Sequence, residues 1–250
     1  MPARPAPSRP NPPLPALPRG RHPLTQQAVA ASQRLRLLDA VAQVVAAKGY
    51  GAATVADVIG RAGVSRRTFY EQFADLEACF LAAYEDGMRS LFDAIRRALA
   101  ALPRAGIEAR IDGAIGAYLA ALASQPAAAW AFTIEVMGAG RAALDRRAWV
   151  LAQWVARWRG MQAHQGEEGA PAWPARSDAH LLALVGGSEE LVRETLRRDG
   201  AQALPKLRTA LVEVALAMLG AGAPSIAVIR RTGGASAPRR AMLAATGEPR

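Results

Sequence analysis

The sequence predicts an all-α fold, with a small three-helix domain near the N-terminus followed by a larger helical body. Three observations carry that expectation. Apolar residues recur at three- and four-residue spacing from Asp75 to about Gly220. The stretch from Thr54 to Asp75 places three helix-capping residues and a glycine where short helices would start and stop. Finally, 51% hydrophobic residues in a chain of 250 supply a sizeable core. No internal repeat is visible, so one body with tails, or two fused domains, is expected rather than an array.

The elements follow in order. A first helix from roughly Ser32 to Lys48 has Leu35, Leu38, Val41, Ala42 and Val45 as its apolar stripe and Gly49 to end it. Thr54 caps the next, with Asp57 at capping-box spacing and Val55, Val58, Ile59 and Ala62 on one face. Gly63 can adopt the left-handed conformation needed for a sharp reversal, and Ser65 then caps a very short helix. Phe69 and Phe73, four apart, face inward and leave Arg66, Arg67, Thr68, Tyr70 and Gln72 outward or sideways. Asp75 caps a much longer helix running to Pro103, with Phe80, Tyr84, Met88, Leu91, Ile95 and Leu99 along one side. Further helices are expected at 106–124, just after Pro126, at about 141–164, at 177–199 and at 201–220, with a loop at 167–176.

Two helices joined by a glycine-bearing turn, the second presenting Arg-Arg-Thr-x-Tyr, have the layout of a helix-turn-helix DNA reader. Arginine offers a fork that matches guanine O6 and N7, and hydroxyls suit phosphate oxygens. Glu71 either accepts from cytosine N4 or is simply solvated. Taken alone, Arg66 and Arg67 read as a solvent-facing pair; the full spacing of cap, glycine, cap and aromatic-flanked arginines reverses that reading. Thr54, Ser65, Arg66, Arg67, Thr68, Tyr70 and Gln72 are therefore the candidate contacts to double-stranded DNA.

The run Thr54-Val-x-Asp57-Val-x-x-x-Ala62-Gly63-Val64-Ser65-x-x-Thr68-Phe69-Tyr70-x-x-Phe73 resembles the signature of the TetR family of bacterial repressors. Two positions depart from it. Ile59 stands where the family usually has alanine. Leu76 stands where a lysine at the start of the fourth helix usually contacts phosphate, so either that contact is missing or Leu76 packs against the reading helix instead.

Charge is distributed unevenly. Residues 1–36 carry six arginines and no acid, residues 222–250 carry five arginines and one glutamate, and residues 37–221 are formally neutral although the whole chain is +10. Within that body, 37–70 holds Lys48, Arg61, Arg66 and Arg67 against Asp39 and Asp57. Positive charge thus gathers on the reader and its tails, where phosphate would favour it; the plainer reading is that the tails aid solubility. Both tails, 1–28 and 222–250, read as disordered. Nine of the 17 prolines fall within 1–23, with neither the apolar core nor the cleavage pattern of a signal peptide. Ile226 to Ile229 forms a short apolar island in the second tail.

Cys79, the single cysteine, fits a reducing cytoplasm and a packed rather than reactive thiol. His22, His164 and His180 lack partners at ligand spacing, so neither metal nor cofactor is expected. Residues 113–134 are uncharged, but Ser124, Gln125 and Pro126 interrupt them, so a buried bundle is expected rather than a membrane span. Gly138-x-Gly140-x-x-Ala143 follows a strand-like run with the spacing of a dinucleotide turn; without a βαβ unit or an acid about 20 residues on, it reads as an interhelical turn. A nucleotide-dependent enzyme is therefore a remote alternative.

The family resemblance implies that 29–74 is the DNA-binding domain and 75–221 an effector-binding, dimerising domain. A mostly apolar pocket for a small-molecule effector is expected from Met88, Phe92, Tyr118, Trp130, Trp154 and Trp158, with Glu135 available to a cationic ligand. Leu181, Leu184, Val185 and Gly187 on one helix and Leu207, Leu211, Val214 and Met218 on the next are the expected homodimer face. The resulting reading is a cytoplasmic, ligand-released repressor binding an inverted repeat as a dimer. The alternative is a constitutive, weakly specific DNA-coating protein. Deleting residues 1–23 removes Arg4, Arg9, Arg19 and Arg21, and is expected to weaken binding to any duplex and flatten its salt dependence while leaving the melting temperature unchanged. A lost melting transition in calorimetry would show the segment to be part of the folded body.

Overall fold

A computed structural model describes residues 26–103, 105–163 and 174–220. Among them the helices are α1 (Gln26–Lys48), α2 (Val55–Ala62), α3 (Arg66–Gln72), α4 (Leu76–Ala100), α5 (Ile107–Ser124), α6 (Pro126–Thr133), α7 (Arg141–Ala163), α8 (Asp178–Asp199) and α9 (Arg208–Leu219). No strand occurs among the described residues. The glycine-rich run after Ile134 is a 3₁₀ turn, Glu135–Gly138, leading into α7 at Arg141, the interhelical turn expected there. The expected final helix is split: a 3₁₀ segment, Ala201–Leu207, carries Pro205 and precedes α9. Pro205 has no backbone N–H to continue an α-helical ladder. The apolar island at 226–229, residues 1–25 of the first expected tail, the whole second tail and most of the loop expected at 167–176 lie outside the described residues, while 26–28 of the first tail belong to α1.

Local chemistry sets the boundaries of the reader. Thr54 and Asp57 form a reciprocal capping box, with the Asp57 backbone N–H donating to Thr54 Oγ1 at 3.2 Å and the Thr54 N–H to Asp57 Oδ2 at 3.1 Å. Gly63 closes α2 at φ 62°, ψ 40°, and the Arg36 guanidinium donates to the freed Ala62 carbonyl at 2.8 Å. Ser65 and Asp75 accept from the Thr68 and Ala78 backbone N–H groups at 3.0 and 2.7 Å, capping α3 and α4.

The first helix begins six residues earlier than expected, and one residue of its expected stripe is misplaced. Leu35 is 54% exposed. Its neighbours take the inward positions: Arg34 lies over the Phe73 ring at 4.5 Å and Arg36 reaches the end of α2, turning the leucine between them to solvent. Leu37, Leu38, Val41, Ala42, Val44 and Val45 are buried.

The core is continuous across the junction at residue 75. Leu37, Val41, Val45, Phe69 and Phe73 pack in one cluster with Phe80 and Tyr84 of α4, Ala131 and Phe132 of α6, and Val150 of α7. Tyr50, Phe80, Phe132 and Tyr84 form a chain of ring contacts at 5.0–5.8 Å. A second cluster joins α5, α8 and α9 through Leu119, Leu181, Leu184, Leu211 and Leu216. Cys79 sits in the first cluster, where burial pushes its thiol up to about 12, so it carries no thiolate at neutral pH.

A Cβ at Gly63 would meet nothing closer than Arg36 Nη1 at 3.7 Å, so the cost of a side chain there lies in the backbone alone. Gly63→Ala is expected to destabilise the protein by about 1–2 kcal/mol, a fall of a few degrees in Tm, measurable by thermal unfolding. An unchanged Tm would mean that the turn relaxes out of the left-handed region.

Candidate nucleic-acid interface and effector cavity

The third helix rests on Phe69, which is fully buried, and on Phe73. This anchorage fixes which side chains face outward. Ser65, Arg66, Arg67, Tyr70 and Glu71 are exposed, while Thr68 and Gln72 are half-buried; Thr54, at the head of α2, is exposed on the same unit. Tyr70 is 51% exposed, with its ring edge against Phe69 at 5.4 Å between centroids. The Ser65 and Thr68 hydroxyls share a hydrogen bond of 2.9 Å. The structure thus gathers all seven sequence-predicted positions around α2 and α3.

Two ion pairs tune this surface. Arg67 Nε donates to Glu71 Oε1 at 2.8 Å, one turn on, an arrangement that orients the guanidinium along the exposed face and raises its pKa. Glu71 is therefore occupied by Arg67 rather than free to accept from a base. Lys48 Nζ lies 2.5 Å from Asp57 Oδ1 and, with Thr54, holds the Asp57 carboxyl below its usual range. Leu76, the first residue of α4, is half-buried against the N-terminal core, so burial occupies the place where a lysine would present charge.

The body contains a cavity of about 810 Å³ lined by residues of α4, α5, α7 and α8, with Leu211 of α9. Phe92, Tyr118, Trp154 and Trp158 line it, as their sequence pattern suggests. Trp154 meets Phe92 and Tyr118 edge-on at 4.7 and 5.4 Å between centroids. Burial, and then Glu189, raise the Tyr118 phenol well above its ordinary pKa. Asp93, Arg96, Arg110, Arg157, Ser188 and Glu189 are the polar members of the wall, and Glu189 is clamped by Arg147 and Arg193. Arg193 Nε also donates to the Thr133 carbonyl, at the end of α6, at 3.2 Å.

Three expected pocket residues lie elsewhere. Met88 packs between two core clusters below the cavity. Trp130 and Glu135 face the reader: Glu135 Oε1 accepts from the Trp130 indole N–H at 3.0 Å, and Oε2 accepts from the Tyr50 backbone N–H at 3.1 Å. Gly49, at φ 85°, leads the chain to that oxygen. The carboxylate that was expected to meet a cationic ligand instead joins the 3₁₀ turn after α6 to the segment between α1 and α2. Its partner lies 85 residues away, beyond the reach of any sequence spacing.

Residues 37–83 match the family model described as bacterial regulatory proteins, tetR family. The matched segment spans the end of α1, α2, α3 and the start of α4. Solved structures agree in fold. The fatty acid degradation regulator FadR from Bacillus halodurans aligns with a TM-score of 0.66 at 20% identity, over 76% of this chain and 95% of that one. FadR from Bacillus subtilis, in complex with stearoyl-CoA, aligns at 0.60 and 18% identity over 74% and 98%. A TetR regulator from Streptomyces fradiae, tylp, aligns at 0.56 and 22% identity over 79% and 91%. No curated protein sequence matches the chain.

The expected dimer face needs correction. Leu181, Leu184, Val185 and Leu211 are buried within their own subunit, and Leu207, Val214 and Met218 are half-buried against the same cluster; of the eight positions only Gly187 is exposed. Apolar periodicity locates the stripe that a helix buries first, and on α8 that stripe faces its own core. The second stripe carries the free apolar surface: Leu182 at 45% exposure, Ala183, Gly187 and Leu191 at 39%.

Glu135→Gln tests the inter-element clamp. An amide can accept from one N–H but presents its own NH₂ to the other, leaving a donor facing a donor. The variant is expected to lose about 1–3 kcal/mol of stability, read as a lower urea midpoint at constant m-value. An unchanged midpoint would show that water replaces both bonds without cost.

Proposed function

We propose that this DNA-binding transcriptional regulator is a ligand-released repressor that binds an inverted-repeat operator as a homodimer in the cytoplasm, its α3 in the major groove. The cavity carries this reading. Its longest wall is α4, the helix that starts three residues after Phe73 of the reader, so a molecule pressing on Phe92, Ile95 or Leu99 acts on a rod rooted beside α3. A protein that only coats DNA has no use for such a chamber. Similarity to the stearoyl-CoA-bound FadR fold supports a ligand-responsive body.

In this reading Arg67, with Arg66 beside it, reads base edges, and Thr54, Ser65, Thr68, Tyr70 and Gln72 hold phosphates. Contact with DNA exchanges the exposed Arg67–Glu71 pair for a guanine edge, a small loss because the pair sits in water. The dimer forms through the second stripes: Leu182, Ala183, Gly187 and Leu191 of α8 against Ala210, Val214 and Ala217 of α9 from the mate. Effector binding favours a conformation in which the two readers no longer match half-sites about one helical turn apart. The domains run 29–74 for DNA binding and 75–221 for effector binding and dimerisation, with tails at 1–28 and 222–250.

Binding-site selection on random duplex DNA tests this reading. An enriched inverted repeat is expected. Arg67→Ala is expected to reduce discrimination at one base pair per half-site by roughly 10- to 100-fold, and Tyr70→Phe to weaken all sequences alike. Flat enrichment by the parent protein at normal affinity would overturn the reading in favour of a coating protein.

A further inference from the structure

The cavity wall is not uniform, for aromatic rings make up one stretch of it and hydrogen-bonding groups lie beside them. Phe92, Tyr118, Trp154 and Trp158 are its rings. Trp154 stands at 66° to Phe92 and at 80° to Tyr118, so the group offers both ring edges and ring faces to whatever enters. A planar ring gains from such a wall beyond the burial of its area, whereas an alkyl chain gains burial alone.

Three polar groups of the same wall, on Tyr118, Ser188 and Glu189, are incompletely used. Arg147 and Arg193 both approach Glu189 through Oε2, the second at 3.5 Å, and Oε1 receives no hydrogen bond among the described residues. Ser188 donates its proton to the Leu184 carbonyl at 2.8 Å and keeps only acceptor lone pairs. The Tyr118 phenol has no hydrogen-bond partner among the described residues. Burial, and then the charge of Glu189, raise its pKa, so it stays protonated in the field of that carboxylate.

An unpartnered phenol and an unpartnered carboxylate oxygen on one cavity wall are a deficit that a bound molecule can meet. The group that satisfies both donates to Oε1 and accepts from the phenol, and a hydroxyl does both. Charge disfavours the alternatives at this point of the wall. A cation would enter a cavity that carries Arg96, Arg110 and Arg157, where Glu189 is already neutralised by two arginines. A carboxylate would set its own oxygens against Oε1, acceptor facing acceptor.

We infer that the cavity takes a neutral aromatic molecule bearing a hydroxyl, its rings among Phe92, Trp154 and Trp158 and its hydroxyl between the Tyr118 phenol and Glu189 Oε1. The inference rests on the proposed ligand response and names the ligand's chemistry.

The test is fluorescence titration of the full-length protein at neutral pH with four probes on one ring system: 1-hydroxypyrene, 1-methylpyrene, pyrene-1-carboxylate and pyrene-1-methylammonium. Decan-1-ol, as a competitor, supplies the hydroxyl without the rings. 1-Hydroxypyrene is expected to bind roughly 10- to 100-fold more tightly than its methyl isostere, and more tightly than either charged probe or decanol. Tyr118→Phe removes one of the two hydrogen bonds and is expected to cut the preference for hydroxyl over methyl by about tenfold. Because the phenol has no partner in the fold, the melting temperature of this variant is expected to match the parent's. Equal binding of hydroxyl and methyl probes, a charged probe or decanol binding most tightly, binding of none of the five, or an undiminished hydroxyl preference in Tyr118→Phe would each overturn the assignment. Site selection on the same preparation separates this from the regulator reading: an operator selected without 1-hydroxypyrene binding sinks the ligand class alone, and 1-hydroxypyrene binding without an operator sinks the regulator alone.

Discussion

The reader of this chain does not stand apart from its body, and the joint between them constrains everything else. At that joint Glu135 places one carboxylate oxygen on the Trp130 indole and the other on the backbone of Tyr50, and directly beneath it Tyr50 packs on Phe80 and Phe80 on Phe132. The two contributions differ in kind. Burying the rings stabilises by roughly 1.5–3 kcal/mol per side chain without fixing direction. The two hydrogen bonds contribute less in net terms, but they are directional and tie a particular turn to a particular backbone N–H. Packing therefore holds α1 against α4 and α6, and the carboxylate sets the register in which they meet.

How much of this was legible in the sequence depends on the range of the interaction. The reader was legible because its signals are local: Thr54 with Asp57, Gly63, Ser65 and Asp75 each act within three or four residues, and each boundary falls where its cap predicts. Helix faces were legible too, but not what they face. Leu181 and Leu184 share a stripe in the sequence as they do in the structure, yet only the fold decides that α5 and α9, rather than a second subunit, cover it. Leu35 failed for a related reason, because arginines with apolar stems and distant partners displaced a leucine from the inner face. Glu135 was noticed as a lone acid in an uncharged stretch, but its partner across the fold was invisible.

Electrostatics divides along the same line. The formal neutrality of residues 37–221 includes charges paired between separate elements: Asp112 with Arg208 at 2.6 Å, Glu189 with two arginines, Lys48 with Asp57. Arg66 on the reader has no ion pair among the described residues and faces outward, where the proposed function requires a phosphate or base edge; the chamber is where it requires a ligand.

The geometry also bears on how such a ligand would reach the DNA. Two routes lead from the chamber to the reader: α4, whose cavity-lining turns continue without a proline to Asp75, and the wall residue Glu189, whose partner Arg193 holds the end of α6 just before Glu135. A shift from 1% to 99% released protein requires about 5.5 kcal/mol of differential affinity. A molecule held equally well in both states supplies none of it, however tightly it binds. Only contacts that differ between the states contribute, and the two routes mark where a bound molecule would make them: against the cavity-lining turns of α4, or against the Glu189–Arg193 link to the end of α6.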